Sequence, residues 1–221
     1  MHIPAGFYPE WLTMLGNIIA IPFILIAIWR TETRFWSGWS EGLQVASIFI
    51  ALSALYMLQA DIKPGMAIHW LGVMLTVMMV GPWTAIVVLS SIHVFLLIAK
   101  DMGDISTLGF NIGTSVLLPV LIATSVHLVF YYKFPRIVPV YFAKVGFGDL
   151  LCMLGVDAAL TTCLIFFSSY PTFHITQEFT IILALMGGME AVISTWIVSG
   201  FILYFPDWLV TFNDEEYING K

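Results

Sequence analysis

Charge is scarce in this chain of 221 residues: Lys and Arg number 8, Asp and Glu 14, and together they make up 10% of the sequence. A soluble domain carries about 25% charged residues. That deficit, beside 60% hydrophobic residues, excludes an ordinary water-soluble globule. It also excludes a disordered chain, which would be polar and highly charged. The net charge of -6 and the lack of a basic cluster argue against nucleic acid as a partner. Cysteine is nearly missing too. Cys152 and Cys163 share one apolar run, eleven positions apart. On a helix that separation is about 16 Å, so they cannot pair within it. They read as small packing residues. The first 29 residues hold no Lys or Arg, so the basic region of a cleavable leader is missing and Met1 is expected to start the mature chain. No zinc-protease motif, phosphate loop or dinucleotide fingerprint is found.

What the sequence does have is long apolar runs. A membrane helix needs about 20 mostly apolar residues. Candidate spans run from Trp11 to Trp29, Leu43 to Ala60, Met66 to Val80, Trp83 to Ala99, Leu108 to Tyr132, Val145 to Phe167 and Phe179 to Tyr204. The expected fold class is an all-α integral membrane protein, a bundle of about seven transmembrane helices forming one domain over 1–221. Gly81-Pro82 joins the third and fourth spans as a tight turn, and Pro119 should kink the fifth. Six of the eight basic residues (Arg30, Arg34, Lys133, Arg136, Lys144 and Lys221) fall on one side, leaving Lys63 and Lys100 on the other. The positive-inside rule makes the first side cytoplasmic. The N-terminus is then outside, 205–221 forms a cytoplasmic tail, and the expected location is the cytoplasmic (inner) membrane.

The N-terminus carries specific chemistry. In Met1-His2-Ile3-Pro4, the α-amine, the backbone nitrogen of His2 and its imidazole can close two fused chelate rings. Pro4 stops further backbone chelation. A square-planar ion, Ni(II), Co(II) or Cu(II), needs one more donor. His69, near the start of the third span and on the same side as the N-terminus, is the candidate. The blander reading is a chance second-position His and a hydrogen-bonded His at a helix end.

Met1-His2-Ile3-Pro4-Ala5-Gly6-Phe7 resembles the N-terminal signature of the CbiM/NikM proteins, the substrate-binding membrane components of energy-coupling-factor cobalt and nickel transporters. The resemblance extends to Pro64-Gly65, His69, Gly81-Pro82-Trp83 and the Leu108-Gly109-Phe110-Asn111 segment. It implies that 1–10 threads into the bundle from outside. It implies metal ligands Met1, His2 and His69, with Asn111 and Thr114 supporting the site. It also implies partners: an energy-coupling transmembrane subunit, a small accessory membrane subunit and ATPase subunits, all in membrane lipid. Ala5, Ala67 and Thr114 depart from the family pattern and remove polar support around the site.

Other residues invite rival readings. Asp157 and Glu190 lie mid-span, and buried acids in a bilayer are functional by default. As an ion-coupling pair they would define a solitary carrier. Their alternative is a helix-to-helix hydrogen bond. A protein that binds metal without transporting it is a further rival. Gly113-Thr114-Ser115 with His127 or His93 loosely resembles an intramembrane serine protease. His93 and His127 are otherwise packing residues, and His174 is a solvated loop residue or a capture ligand at the mouth. Met74 and Met78 read as packing, and Gly187-Gly188 as a close helix approach. With no nucleotide site, the chain is expected not to be an enzyme, and any ATP hydrolysis belongs to a partner.

Overall fold

The computed structural model describes residues 6–63, 66–100, 102–168 and 170–219. Helix α1 is Glu10–Arg30, a short α2 is Arg34–Ser37, and α3 is Trp39–Met57. A two-residue hairpin follows, with β1 (Ala60–Asp61) antiparallel to β2 (Ala67–Ile68). Then come α4 (Val73–Lys100), α5 (Leu108–Lys133), α6 (Val138–Phe167) and α7 (Thr172–Tyr204). Six of these helices are long and apolar enough to cross a membrane. Their side chains divide as a bilayer requires. Trp11, Ile18, Leu25 and Trp29 on α1 face outward, and within α1 only Thr13, Ala20 and Ala27 are buried, whereas most of α4 is buried. Helix α4 is therefore the hub of the bundle.

Six helices are candidate spans, and the third and fourth expected runs meet at Gly81, where the sequence placed a tight turn. The third expected span is helical only from Val73, and Met66–Trp70 precedes it as extended, buried chain. At Gly81 the backbone takes φ 77 and ψ 167, a conformation open to glycine and costly for other residues. Val73 to His93 along a straight helix would cover about 30 Å. Yet the rings of His69 and His93 lie only 6.4 Å apart. The chain thus folds back at Gly81. The 73–80 half is about 12 Å long, too short to cross, while the 82–100 half, about 28 Å, spans.

Inside an apolar bundle a broken helix must find partners for its end groups. The Met78 carbonyl accepts from the Thr211 hydroxyl and amide, and the Met79 carbonyl accepts from the Val210 amide and the Gln44 side chain. Segment 206–212 is therefore docked on the Gly81 turn and is not a free tail. Gln44 Nε2 also donates to the Trp208 carbonyl at 2.6 Å. In α5 the disturbance expected from Pro119 takes the form of a π-helical turn, Gly113–Leu117, directly ahead of it.

The loops sort to two ends. Arg30 lies over Trp83 beside the Gly81 turn, and the Tyr141 hydroxyl meets Thr211 there. At the opposite end Lys63 pairs with Glu178 at 2.8 Å, and Tyr8 packs on Phe110 and Phe167.

Close contacts follow small residues. Gly16 faces Phe110 and Gly109 faces Asn17, where α1 and α5 touch backbone to backbone. Asn17 stitches that crossing, donating to the Ser106 carbonyl and accepting from the Gly109 amide, both at 2.8 Å. Gly187 lets α7 approach Met153 on α6, but Gly188 has nothing near it. Cys152 and Cys163 are free thiols. Met74 and Met78 are buried packing residues.

Candidate metal site

His69 sits at the mouth end of the bundle, just past β2, and is 1% exposed. The β1–β2 pairing fixes its approach: Ile62 donates to the Met66 carbonyl and Met66 to that of Lys63. The imidazole lies on the Tyr56 ring, centroids 4.1 Å apart, and its Nδ1 is 2.7 Å from the Trp70 carbonyl. A carbonyl oxygen only accepts, so Nδ1 is the donor in that contact. His69 lies outside the six spanning helices, and burial pushes it down to about 4, so it is neutral at pH 7.

The turn after His69 is held on both edges. Tyr56 donates its hydroxyl to the Leu71 carbonyl at 2.8 Å. Glu190 on α7 accepts from the amides of Leu71, at 3.1 Å, and Gly72. Gly72 has φ 62 and presses on Leu52, where a Cβ would collide.

Met1 and His2 lie outside the described residues. The described chain resumes at Gly6, and Phe7 and Tyr8 anchor it against Tyr170, Phe110 and Phe167. Among the described residues no three His, Cys, Asp or Glu side chains gather closely enough to hold an ion. Asn111 is buried, its amide 3.4 Å from the Thr107 hydroxyl. Thr107 and Ser106 are ordered by Asp104, whose carboxyl is held below its usual range by hydrogen bonds from Ser106. Thr114 bonds to the Phe110 and Asn111 carbonyls of its own helix.

Asp157 and Glu190 are not brought together. Helices α6 and α7 run antiparallel, with Gly187 against Met153 and Gly146 against Ala191 and Thr195. In this register Glu190 lies opposite Asp149, and Asp157 opposite Leu183, about 10 Å further along. Asp157 accepts from Thr161, which reaches Thr180 on α7. Asp157 is thus bonded within its own helix, and Thr161 carries the link across to α7. Asp149 is buried beside Ser194 and Met74, without a well-formed hydrogen bond to either oxygen among the described residues.

His93, expected to be a packing residue, faces the same pocket: its ring is 5.7 Å from Tyr56 and 6.4 Å from His69. A reversal centred on Gly81 pairs position 69 with position 93, so the glycine and the equal spacing carried that signal. Tyr56 had no such marker. His127 lies at the other end, 3.3 Å from the Lys144 ammonium. His174 forms a 2.6 Å contact with Glu178. The Ser115 hydroxyl is buried without a hydrogen-bond partner among the described residues, so no serine–histidine dyad forms.

The fold and site define a class: a multi-pass helical membrane protein with a neutral imidazole presented at one end of its bundle. The chain belongs to the CbiM family, described as a cobalt uptake substrate-specific transmembrane region, whose profile matches residues 2–208. Two crystal structures share its fold. One, of a truncated transition metal transporter, has TM-score 0.72 and 17% identity, covering 92% of this chain and 98% of that one. The other, of a transition metal transporter, has TM-score 0.72 and 18% identity, covering 92% and 93%. No match was found among curated proteins. Family members are transport components, and the role they support for this chain is metal uptake.

Proposed function

We propose that this chain captures Ni(II) or Co(II) as the substrate-specific component of an energy-coupling-factor transporter in the cytoplasmic membrane. Segment 1–10 supplies three nitrogen donors, from the Met1 amine and from the His2 amide and imidazole. The His69 imidazole supplies the fourth. Four nitrogens in one plane suit Ni(II), Co(II) and Cu(II) and disfavour Zn(II), which prefers a tetrahedron. One observation carries the reading. A buried, neutral His69 is fixed by Tyr56 and the Leu71 turn at the end of the bundle where residue 6 begins the described chain.

The basic-rich Gly81 end faces the cytoplasm under the positive-inside rule, so the mouth opens outward. Partner subunits hydrolyse ATP. The solitary-carrier reading loses its acid pair, because Asp157 bonds with Thr161 and Glu190 holds the Leu71 turn.

The deciding experiment is metal analysis of protein with an untagged, native N-terminus, confirmed by mass spectrometry. About one equivalent of Ni or Co, lost in His2→Ala and His69→Ala, supports the site. Tight binding that survives both substitutions refutes it.

A further inference from the structure

We infer that Glu190 is a positioning residue for the metal site, holding His69 in place through the peptide amides of Leu71 and Gly72. The inference rests on the reading of His69 as a ligand.

The physical demand comes from the broken helix. The 73–80 half begins inside the bundle, and amides at a helix start have no intrahelical acceptor. In apolar surroundings they must be paired. One carboxylate meets the cap amide and the one before it: Glu190 Oε1 accepts from Gly72, directly ahead of Val73, and Oε2 from Leu71 in the turn that leads into the helix. Two oxygens on two successive amides fix orientation as well as position. The opposite edge of the same peptide is held by Tyr56, whose hydroxyl takes the Leu71 carbonyl and whose ring carries His69. Helices α3 and α7 therefore grip the turn from both sides, two residues from the imidazole. At Gly72 the turn takes φ 62, which an L side chain rarely adopts, and lies against the Leu52 side chain.

A carboxylate is an expensive choice within a membrane bundle. Its particular capacity is to accept on both oxygens. Gln has one accepting oxygen, so Glu190→Gln keeps at most one of the two bonds and turns an amide donor toward a donor. Glu190 is 3% exposed, so water cannot replace the lost acceptor. Asp157, a buried acid one helix away, makes no contact with this turn and provides the comparison.

The test uses the full chain with its native N-terminus in detergent. Ni(II) affinity is measured by competition with a chromophoric chelator, and the Ni(II) d–d absorption is recorded. Folding is followed by gel filtration and thermal unfolding. Loss of a residue that orients a ligand weakens affinity about 10–100-fold. Glu190→Gln should stay folded, bind Ni(II) more weakly by that factor and shift the d–d band toward that of His69→Ala. Asp157→Asn should match wild type. A folded Glu190→Gln with wild-type affinity and spectrum overturns the inference. If Glu190→Gln does not fold, Tyr56→Phe decides, because it removes only the hydroxyl on the other edge. Weaker affinity with a shifted band then supports a held turn, and wild-type values overturn it. Wild-type protein that binds no Ni(II), or a His69→Ala variant that binds as wild type does, brings down the ligand reading beneath it. Wild-type behaviour in Glu190→Gln alone brings down only the positioning role.

Discussion

At the scale of the residue, His69 is held by three contacts: the Tyr56 ring, the Trp70 carbonyl and the clasped turn. Removing its imidazole takes away a direct donor. His69→Ala should therefore weaken Ni(II) binding by more than the roughly 100-fold that loss of a supporting contact costs. Isothermal titration on untagged protein checks this. The pH dependence follows from which donor is protonated. Burial pushes His69 from the usual value of 6.5 down to about 4, so its neutral form persists to acid pH. An α-amine has a pKa of about 7.7–8.0. Metal must displace its proton and that of the His2 amide. Apparent affinity should therefore rise with pH through about 8 and fall steadily below it, which chelator competition between pH 6 and 9 measures. A flat profile would exclude the amine as a donor. The same depressed value bears on the apo fold. An unfolded His takes a proton near 6.5 and the folded one only near 4, so this term favours the folded state above the first value and is lost as pH falls toward the second.

Two glycines act at the scale of the element. At Gly81 the space around a Cβ is open, so the cost of a substitution there is backbone strain alone, about 1–3 kcal/mol in a region that is essentially glycine-only. Gly81→Ala should lower the melting temperature in detergent by a few degrees. It should also weaken metal binding, because the reversal at Gly81 brings His69 beside His93. An equal melting temperature and affinity would show that another residue makes the turn. Gly109 differs, because a Cβ there would collide with the backbone of Asn17. Gly109→Val should pry α1 from α5, break both Asn17 hydrogen bonds and reduce folded protein severely. Gel filtration after detergent extraction reads that outcome.

Across the whole molecule, the two ends differ in charge and in chemistry. Single cysteines placed at Lys63 and at Lys133, in a background with Cys152 and Cys163 replaced by Ala, report sidedness. Lys63→Cys should react with a membrane-impermeant maleimide in intact cells, and Lys133→Cys only after lysis. The reverse pattern would invert the proposed orientation. Uptake should also require a partner ATPase, since the chain carries no phosphate loop.

Composition and hydropathy were enough for the membrane class and for the bounds of most spans within a few residues, and they marked His69 as an imidazole beside an apolar run. Those properties are local: hydropathy over about 20 residues and a lone polar side chain beside an apolar run. Tertiary structure decided what depended on pairing. It folded the short 73–80 half back against the 82–100 half at Gly81, which brings His69 beside His93. It set the register of α6 and α7, which placed Glu190 opposite Asp149 and left Asp157 about 10 Å away. It brought Tyr56 under His69, since a ring contact between distant segments leaves no mark on either. Residues 1 and 2 lie outside the described chain, so three of the four proposed donors are argued from the chemistry of that terminus. What the fold adds to that chemistry is a fixed His69, held there because the buried turn ahead of Val73 must find acceptors for its amides.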